Sequence, residues 1–198
     1  MDMAEETFVK AVAWAKEFIK ANGPHELNLA GIGESTIHPK FVDYVRFARE
    51  YMGPEQLLLF ATNGVAMTEK LAAALAPLRP AIWVSLHRPE RAGPAINILR
   101  RHNLVVGVSA DPSISSTNWA GQVKWEVTTE RKECMWVKMG KVIVLSDGRV
   151  SRCSYDASGA GVIATVDDDL GKFKTSPYVL CKTCDQDVGV PMTAEAAA

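Results

Sequence analysis

The chain has 198 residues, 47% of them hydrophobic, and its 22 basic and 23 acidic side chains leave a formal charge of −1. That length suits one full domain plus a small appendage, and the mixed signs, with no basic tract, give nucleic-acid binding no support. The opening MDMAEETFVK is acidic and polar where a signal peptide is basic then apolar. No stretch approaches the roughly 18 uncharged apolar residues that mark a membrane span, so a soluble, cytosolic protein in a reducing compartment is expected.

The first two thirds alternate helices with strands. Thr7 to Lys20 sets Phe8, Val12, Ala15 and Ile19 on one helical stripe, with Ala11, Trp14 and Phe18 beside it, and Gly23-Pro24 stops the helix. A short apolar run, Leu27 to Ala30, leads into Gly31-Ile32-Gly33-Glu34. Helical period returns from Phe41 to Tyr51, closed by Gly53-Pro54, and Leu57 to Ala61 is a second strand ending at Thr62-Asn63-Gly64. Thr68 N-caps a helix reaching Leu75; a third strand covers Ala81 to Leu86; after Pro94 a helix covers Ala95 to Arg101, and a fourth strand Leu104 to Val108. Such short apolar strands separated by helices predict βα units and a parallel sheet covered on both faces.

Near residues 115 to 130 the pattern changes. Gln122 to Thr128 alternates, through Val123, Trp125 and Val127, and Lys141 to Leu145, Asp147-Gly148, Arg149 to Cys153 reads as a β-hairpin. A turn of that kind needs positive φ at both central residues, which Asp-Gly supplies. The expected division is an α/β layer over residues 1–118 and a β-rich module over 119–198. Trp119, Trp125 and Trp136 flank the module and would supply core to a small β unit with little else to bury.

All four cysteines lie in that last third, as C-x18-C-x27-C-x2-C: Cys134, Cys153, Cys181 and Cys184. Together they form a complete ligand set for one tetrahedral thiolate-bound metal or an iron–sulfur cubane. The alternatives are buried thiols or two disulfides, which a reducing compartment disfavours. Four-cysteine zinc sites use two close Cys-x2-4-Cys knuckles, whereas here only Cys181 and Cys184 form such a pair. His25, His38, His87 and His102 show no metal-ligand spacing and read as surface or capping residues. His87-Arg88-Pro89-Glu90-Arg91 is a charged loop after a strand, either solvated or available to an anionic group.

Gly31-Ile32-Gly33-Glu34-Ser35 followed by His38-Pro39 resembles the "GGE" segment of radical S-adenosylmethionine (radical SAM) enzymes. Thr62-Asn63-Gly64 resembles the "TNG" that ends their next strand, and Val84-Ser85-Leu86 the following strand end. The cysteine, Asp-Gly hairpin, cysteine and Cys-x-x-Cys series is similar to their SPASM/twitch auxiliary extension. The resemblance covers residues 25 to 187. It implies a partial (β/α) barrel with a small C-terminal twitch-like domain, in which Cys134, Cys153, Cys181 and Cys184 hold one auxiliary [4Fe–4S] cluster, zinc being the alternative. It further implies S-adenosylmethionine as cofactor, contacted by Gly31, Gly33, Glu34, Asn63 and Ser85, and hydrogen abstraction from a peptide or nucleoside substrate by a 5′-deoxyadenosyl radical. Each of those residues also has a local explanation: glycine turns for 31 and 33, an acid near a helix N-terminus for Glu34, and turn formation for Asn63 and Ser85. Ser35 stands where the family usually has proline.

The family's Cys-x-x-x-Cys-x-x-Cys loop does not occur among these residues. Either an upstream segment or a partner chain supplies it, or the chain keeps the frame as a non-catalytic, metal-stabilised binding or assembly protein.

Overall fold

A computed structural model describes residues 3–23, 26–31, 33–86, 89–108, 140–153, 156 and 158–169. The chain divides into two compact units, Pro24–Ser116 and, together, Met1–Gly23 with Thr117–Ala198. In chain order the elements are α1 (Glu5–Asn22), β1 (Leu27–Asn28), α2 (Phe41–Met52), β2 (Leu58–Thr62), α3 (Glu69–Leu75), β3 (Ala81–Val84), α4 (Pro89–Arg101) and β4 (Val105–Val108). β5 (Ile143–Val144), β6 (Arg149–Ser151) and β7 (Val162–Thr165) follow.

The Pro24–Ser116 unit is a mixed α/β layer. β1, β2, β3 and β4 lie side by side in sequence order, every pair parallel, with Leu59 opposite Ala81 and Trp83 opposite Gly107. Side chains alternate across a strand, so Phe60, Ile82 and Val84 share one face and pack with Phe41, Val45, Ala72, Leu75, Ala95 and Leu99 of the helices. The Phe41 ring meets Phe60 edge-on at 4.9 Å. The other face departs from the expected cover on both sides, since Trp83 is 47% and Val105 71% exposed. Arg49 closes the α2 end, its guanidinium donating to the carbonyls of Leu78 at 2.8 Å and Gln56 at 2.6 Å.

One local expectation holds and one changes. Thr68 caps α3 as its sequence suggests, its hydroxyl accepting from Leu71 N at 3.2 Å. α4, however, begins at Pro89 and carries Pro94 inside it. Proline is favoured at the first helical position, as at Pro89, whereas Pro94 lies inside the helix, where its nitrogen cannot donate the hydrogen bond to Glu90 and its ring crowds that carbonyl.

In the other unit β5, β6 and β7 form an antiparallel sheet in that order. The β5–β6 connection falls at Asp147-Gly148, but only Gly148 has positive φ, +85°. Gly148 N donates to Leu145 O at 2.9 Å, and Leu145 N to Arg149 O at 2.8 Å, which is the three-residue hairpin loop with a left-handed glycine at its end rather than the two-residue one. β7 carries no hairpin signal in the sequence. α1 was expected with the α/β layer, yet its Trp14 and Phe18 rings, stacked at 5.1 Å, pack with Val150 and Ala164 of this sheet. Periodicity shows that a helix has an apolar face, not which surface it covers. No helix among the described residues is long and apolar enough to cross a membrane.

Candidate functional site

The C-terminal ends of three adjacent parallel strands carry the residues singled out from the sequence. Gly31 and Gly33 follow β1, Asn63 follows β2, and Ser85 follows β3. Open parallel sheets and barrels bind ligands at this edge. Gly33 has φ +121°, a conformation that favours glycine, and a Cβ added at Gly31 or Gly33 would meet no atom of the described residues within 4 Å. The backbone there is therefore open to close approach.

Glu34 turns its carboxylate inward. Oε1 accepts from Thr36 N at 3.3 Å, from the Thr36 hydroxyl, and from Thr62 Oγ1 at 2.8 Å, while Oε2 accepts from Asn63 N at 2.7 Å. Glu34 thus caps the short 3-10 helix Ser35–Ile37 and also binds the end of β2. Asn63 makes the turn its type suggests, its Oδ1 accepting from Val65 N at 2.9 Å. Ser85 N donates to Thr62 O at 2.8 Å. The buried Ser85 Oγ has no hydrogen-bond partner among the described residues, a polar atom at the strand end that a ligand could satisfy.

Gly64 fixes the next turn against α4. Its φ is +78°, and a Cβ would stand 2.8 Å from Ala95 Cβ and 3.2 Å from Arg91 O. Only glycine lets this loop and helix come so close.

Thr62 is the residue that composition and motif did not single out by itself. It is the last position of the β2 alternation that faces the core, after Leu58 and Phe60, and it is buried. A polar residue in that place needs partners, and it has them in Glu34, Gly64 and Ser85.

Of the four cysteines, Cys153 is described and is 7% exposed, two residues after the end of β6. Its carbonyl accepts from Asp156 N at 3.0 Å. Cys134, Cys181 and Cys184 lie outside the described residues, as do His25, His87, Arg88 and the tryptophans at 119, 125 and 136. Among the described residues no group of three or more His, Cys, Asp or Glu could hold a metal ion. His38 and His102 have local roles: His38 Nδ1 accepts from Lys40 N at 3.1 Å, and His102 Nε2 lies 2.7 Å from Glu69.

Asp156, which the sequence did not flag, organises the loop after Cys153. It is 0% exposed, and its carboxylate accepts from the hydroxyls of Ser151 and Ser158 and from the backbone N–H of Gly159, Ala160 and Gly161. Burial pushes its pKa up, but the hydrogen bonds from Ser151, Gly161, Ala160 and Ser158 outweigh that and hold it below the ordinary aspartate value.

No family model matches the chain, and no curated protein matches it by sequence. Its fold is nonetheless similar to solved structures. BtrN in complex with AdoMet and 2-DOIA superposes with a TM-score of 0.65 at 17% identity, over 85% of this chain and 68% of that one. Native anSMEcpe with bound AdoMet gives 0.61 at 13% identity, over 86% and 71%. BtrN in an open conformation gives 0.59 at 16% identity, over 98% and 84%. These neighbours are radical SAM enzymes, and the chain shares their mixed α/β fold with a parallel sheet.

Proposed function

We propose that the chain is a radical SAM-type iron–sulfur protein whose β1, β2 and β3 ends bind S-adenosylmethionine and whose cysteines hold one auxiliary [4Fe–4S] cluster. The observation that carries this reading is the meeting of Gly31, Gly33, Glu34, Asn63 and Ser85 at one edge of the parallel sheet, in a fold similar to AdoMet-bound enzymes. The parallel layer is then a partial (β/α) barrel, and residues 119–198 a twitch-like domain.

Each residue has a role consistent with its surroundings. The open backbone at Gly31 and Gly33 admits the ligand's amino-acid end, and the unpartnered Ser85 hydroxyl offers a hydrogen bond from the end of β3. Cys134, Cys153, Cys181 and Cys184 would hold the cluster; the donor set fits, because four thiolates fill a cubane's protein ligand positions. Fully ligated in this way, the group supplies electron transfer or structural support. Bound S-adenosylmethionine supplies the 5′-deoxyadenosyl group for hydrogen abstraction, in combination with a cysteine loop from an upstream segment or a partner chain. The other reading, a non-catalytic metal-stabilised binding protein, draws on all four cysteines being taken up by the auxiliary set.

Titrating S-adenosylmethionine into isotope-labelled protein tests the binding half of the proposal. The amide signals of Gly31, Gly33, Asn63, Gly64 and Ser85 should move together along one isotherm. Absence of any shift at millimolar ligand, or shifts confined to the β5–β7 sheet, would sink it.

A further inference from the structure

Resting on the S-adenosylmethionine reading above, we infer that Glu34 is a positioning residue: its carboxylate latches the segment after β1 to the end of β2 and so sets where the open Gly33 backbone stands. Both oxygens are engaged by donors. Oε2 takes Asn63 N at 2.7 Å, and Oε1 takes Thr62 Oγ1 at 2.8 Å together with the Thr36 amide and hydroxyl.

The direction of the Thr62 hydroxyl extends the latch. Its proton goes to Glu34, so its oxygen is the acceptor for Gly64 N at 3.1 Å. The two amides that follow β2 therefore end on one carboxylate, Asn63 directly and Gly64 through Thr62. The Thr62 carbonyl accepts from Ser85 N at 2.8 Å, which carries the same connection to the end of β3. Glu34 thus sets the relative placement of three strand ends through bonds that do not require a ligand.

The chemistry calls for an ionised carboxylate. Every partner of Glu34 donates, and charge-assisted bonds of this type are the strong ones. A glutamine would present an NH2 group to either Asn63 N–H or the Oε1 donors, and two donors facing each other leave one unsatisfied. Thr62→Val removes the hydroxyl at nearly constant shape, whereas Thr62→Ser keeps it.

The test uses the 198-residue chain and its Glu34→Gln, Thr62→Val and Thr62→Ser variants. Two quantities are read: amide exchange at Asn63 and Gly64 without ligand, and affinity for S-adenosylmethionine and for 5′-methylthioadenosine, which lacks the amino-acid end. Glu34→Gln and Thr62→Val should speed both amides by about tenfold or more and weaken S-adenosylmethionine about tenfold, or ~1.4 kcal/mol. Affinity for 5′-methylthioadenosine should stay within about twofold, a factor small beside the ~1.4 kcal/mol that each tenfold represents. Thr62→Ser should behave as the parent in every respect. Unchanged exchange in both loss variants overturns the latch. Faster exchange with S-adenosylmethionine affinity unchanged, or with both ligands weakened equally, overturns the positioning role. A parent chain that binds no S-adenosylmethionine would overturn the proposed function instead, while the exchange rates still decide the latch.

Discussion

Replacing Asp156 with alanine is expected to lower the stability of the β5–β7 sheet by on the order of 3 kcal/mol or more, because three loop amides lose their acceptor at about 1–3 kcal/mol each. Five donors converge on this carboxylate: the Ser151 and Ser158 hydroxyls and the amides of Gly159, Ala160 and Gly161. The hydroxyls can turn to other acceptors, but the three amides are fixed by the loop. Asp156→Asn should cost less, because its oxygen still serves part of the set while its NH2 faces donors. Ser151→Ala should cost least. Native-state hydrogen exchange at Gly159, Ala160 and Gly161, read against amides of β2 and β3, measures the effect where it arises. Equal destabilisation by Asp156→Ala and Ser151→Ala would show that the carboxylate does not organise the loop.

S-adenosylmethionine incubated with the reconstituted and reduced 198-residue chain is expected to release no 5′-deoxyadenosine above a control without reductant. Cleavage in radical SAM enzymes needs an iron left open to the cofactor's amino and carboxylate groups, with three cysteines of one loop as the remaining ligands. The cysteines here follow C-x18-C-x27-C-x2-C, and in the proposed reading a four-thiolate site would take up all of them. Adding a Cys-x-x-x-Cys-x-x-Cys segment, fused upstream or as a partner chain, should switch product formation on if the strand-end site is catalytic. The non-catalytic reading expects no product under either condition. Product from the chain as it stands would mean that the four cysteines are shared or rearranged between two tasks.

The strand and helix order of the parallel layer was legible because each element carries its own signal. Leu58 and Phe60 alternate with outward residues in β2, Thr68 caps α3, and Gly53 closes α2. What failed was information that resides in a partner. The stripe of α1 with Trp14 and Phe18 was evident, but its burial against Val150 and Ala164 depends on a sheet more than 120 residues away in sequence. β7 is four residues long and gains its identity from pairing with β6; short strands have little period of their own to detect. Pro94 misled because proline often marks a boundary, and Pro89 was the one that did.

The site follows the same division. Gly31, Gly33, Asn63 and Ser85 could be named through the motif resemblance together with their position after strands, and the structure brings the ends that carry them side by side. Glu34 could be named too, yet its inward direction toward Thr62 and Asn63 is a long-range fact. Thr62 was hidden inside a motif whose asparagine drew attention, and Asp156 inside a loop with no motif at all. A buried aspartate among Ser158, Gly159 and Gly161 is recognisable only once the loop has closed around it.

Iron and acid-labile sulfide analysis of anaerobically purified protein tests the account most directly. A chain whose Cys134, Cys153, Cys181 and Cys184 hold a single cubane should be brown and contain about four irons and about four sulfides per polypeptide. Cys153→Ser should lower that content and destabilise the β5–β7 unit far more than the parallel layer, since cluster binding energy is also folding energy. One zinc per chain, without iron or sulfide, would contradict the account.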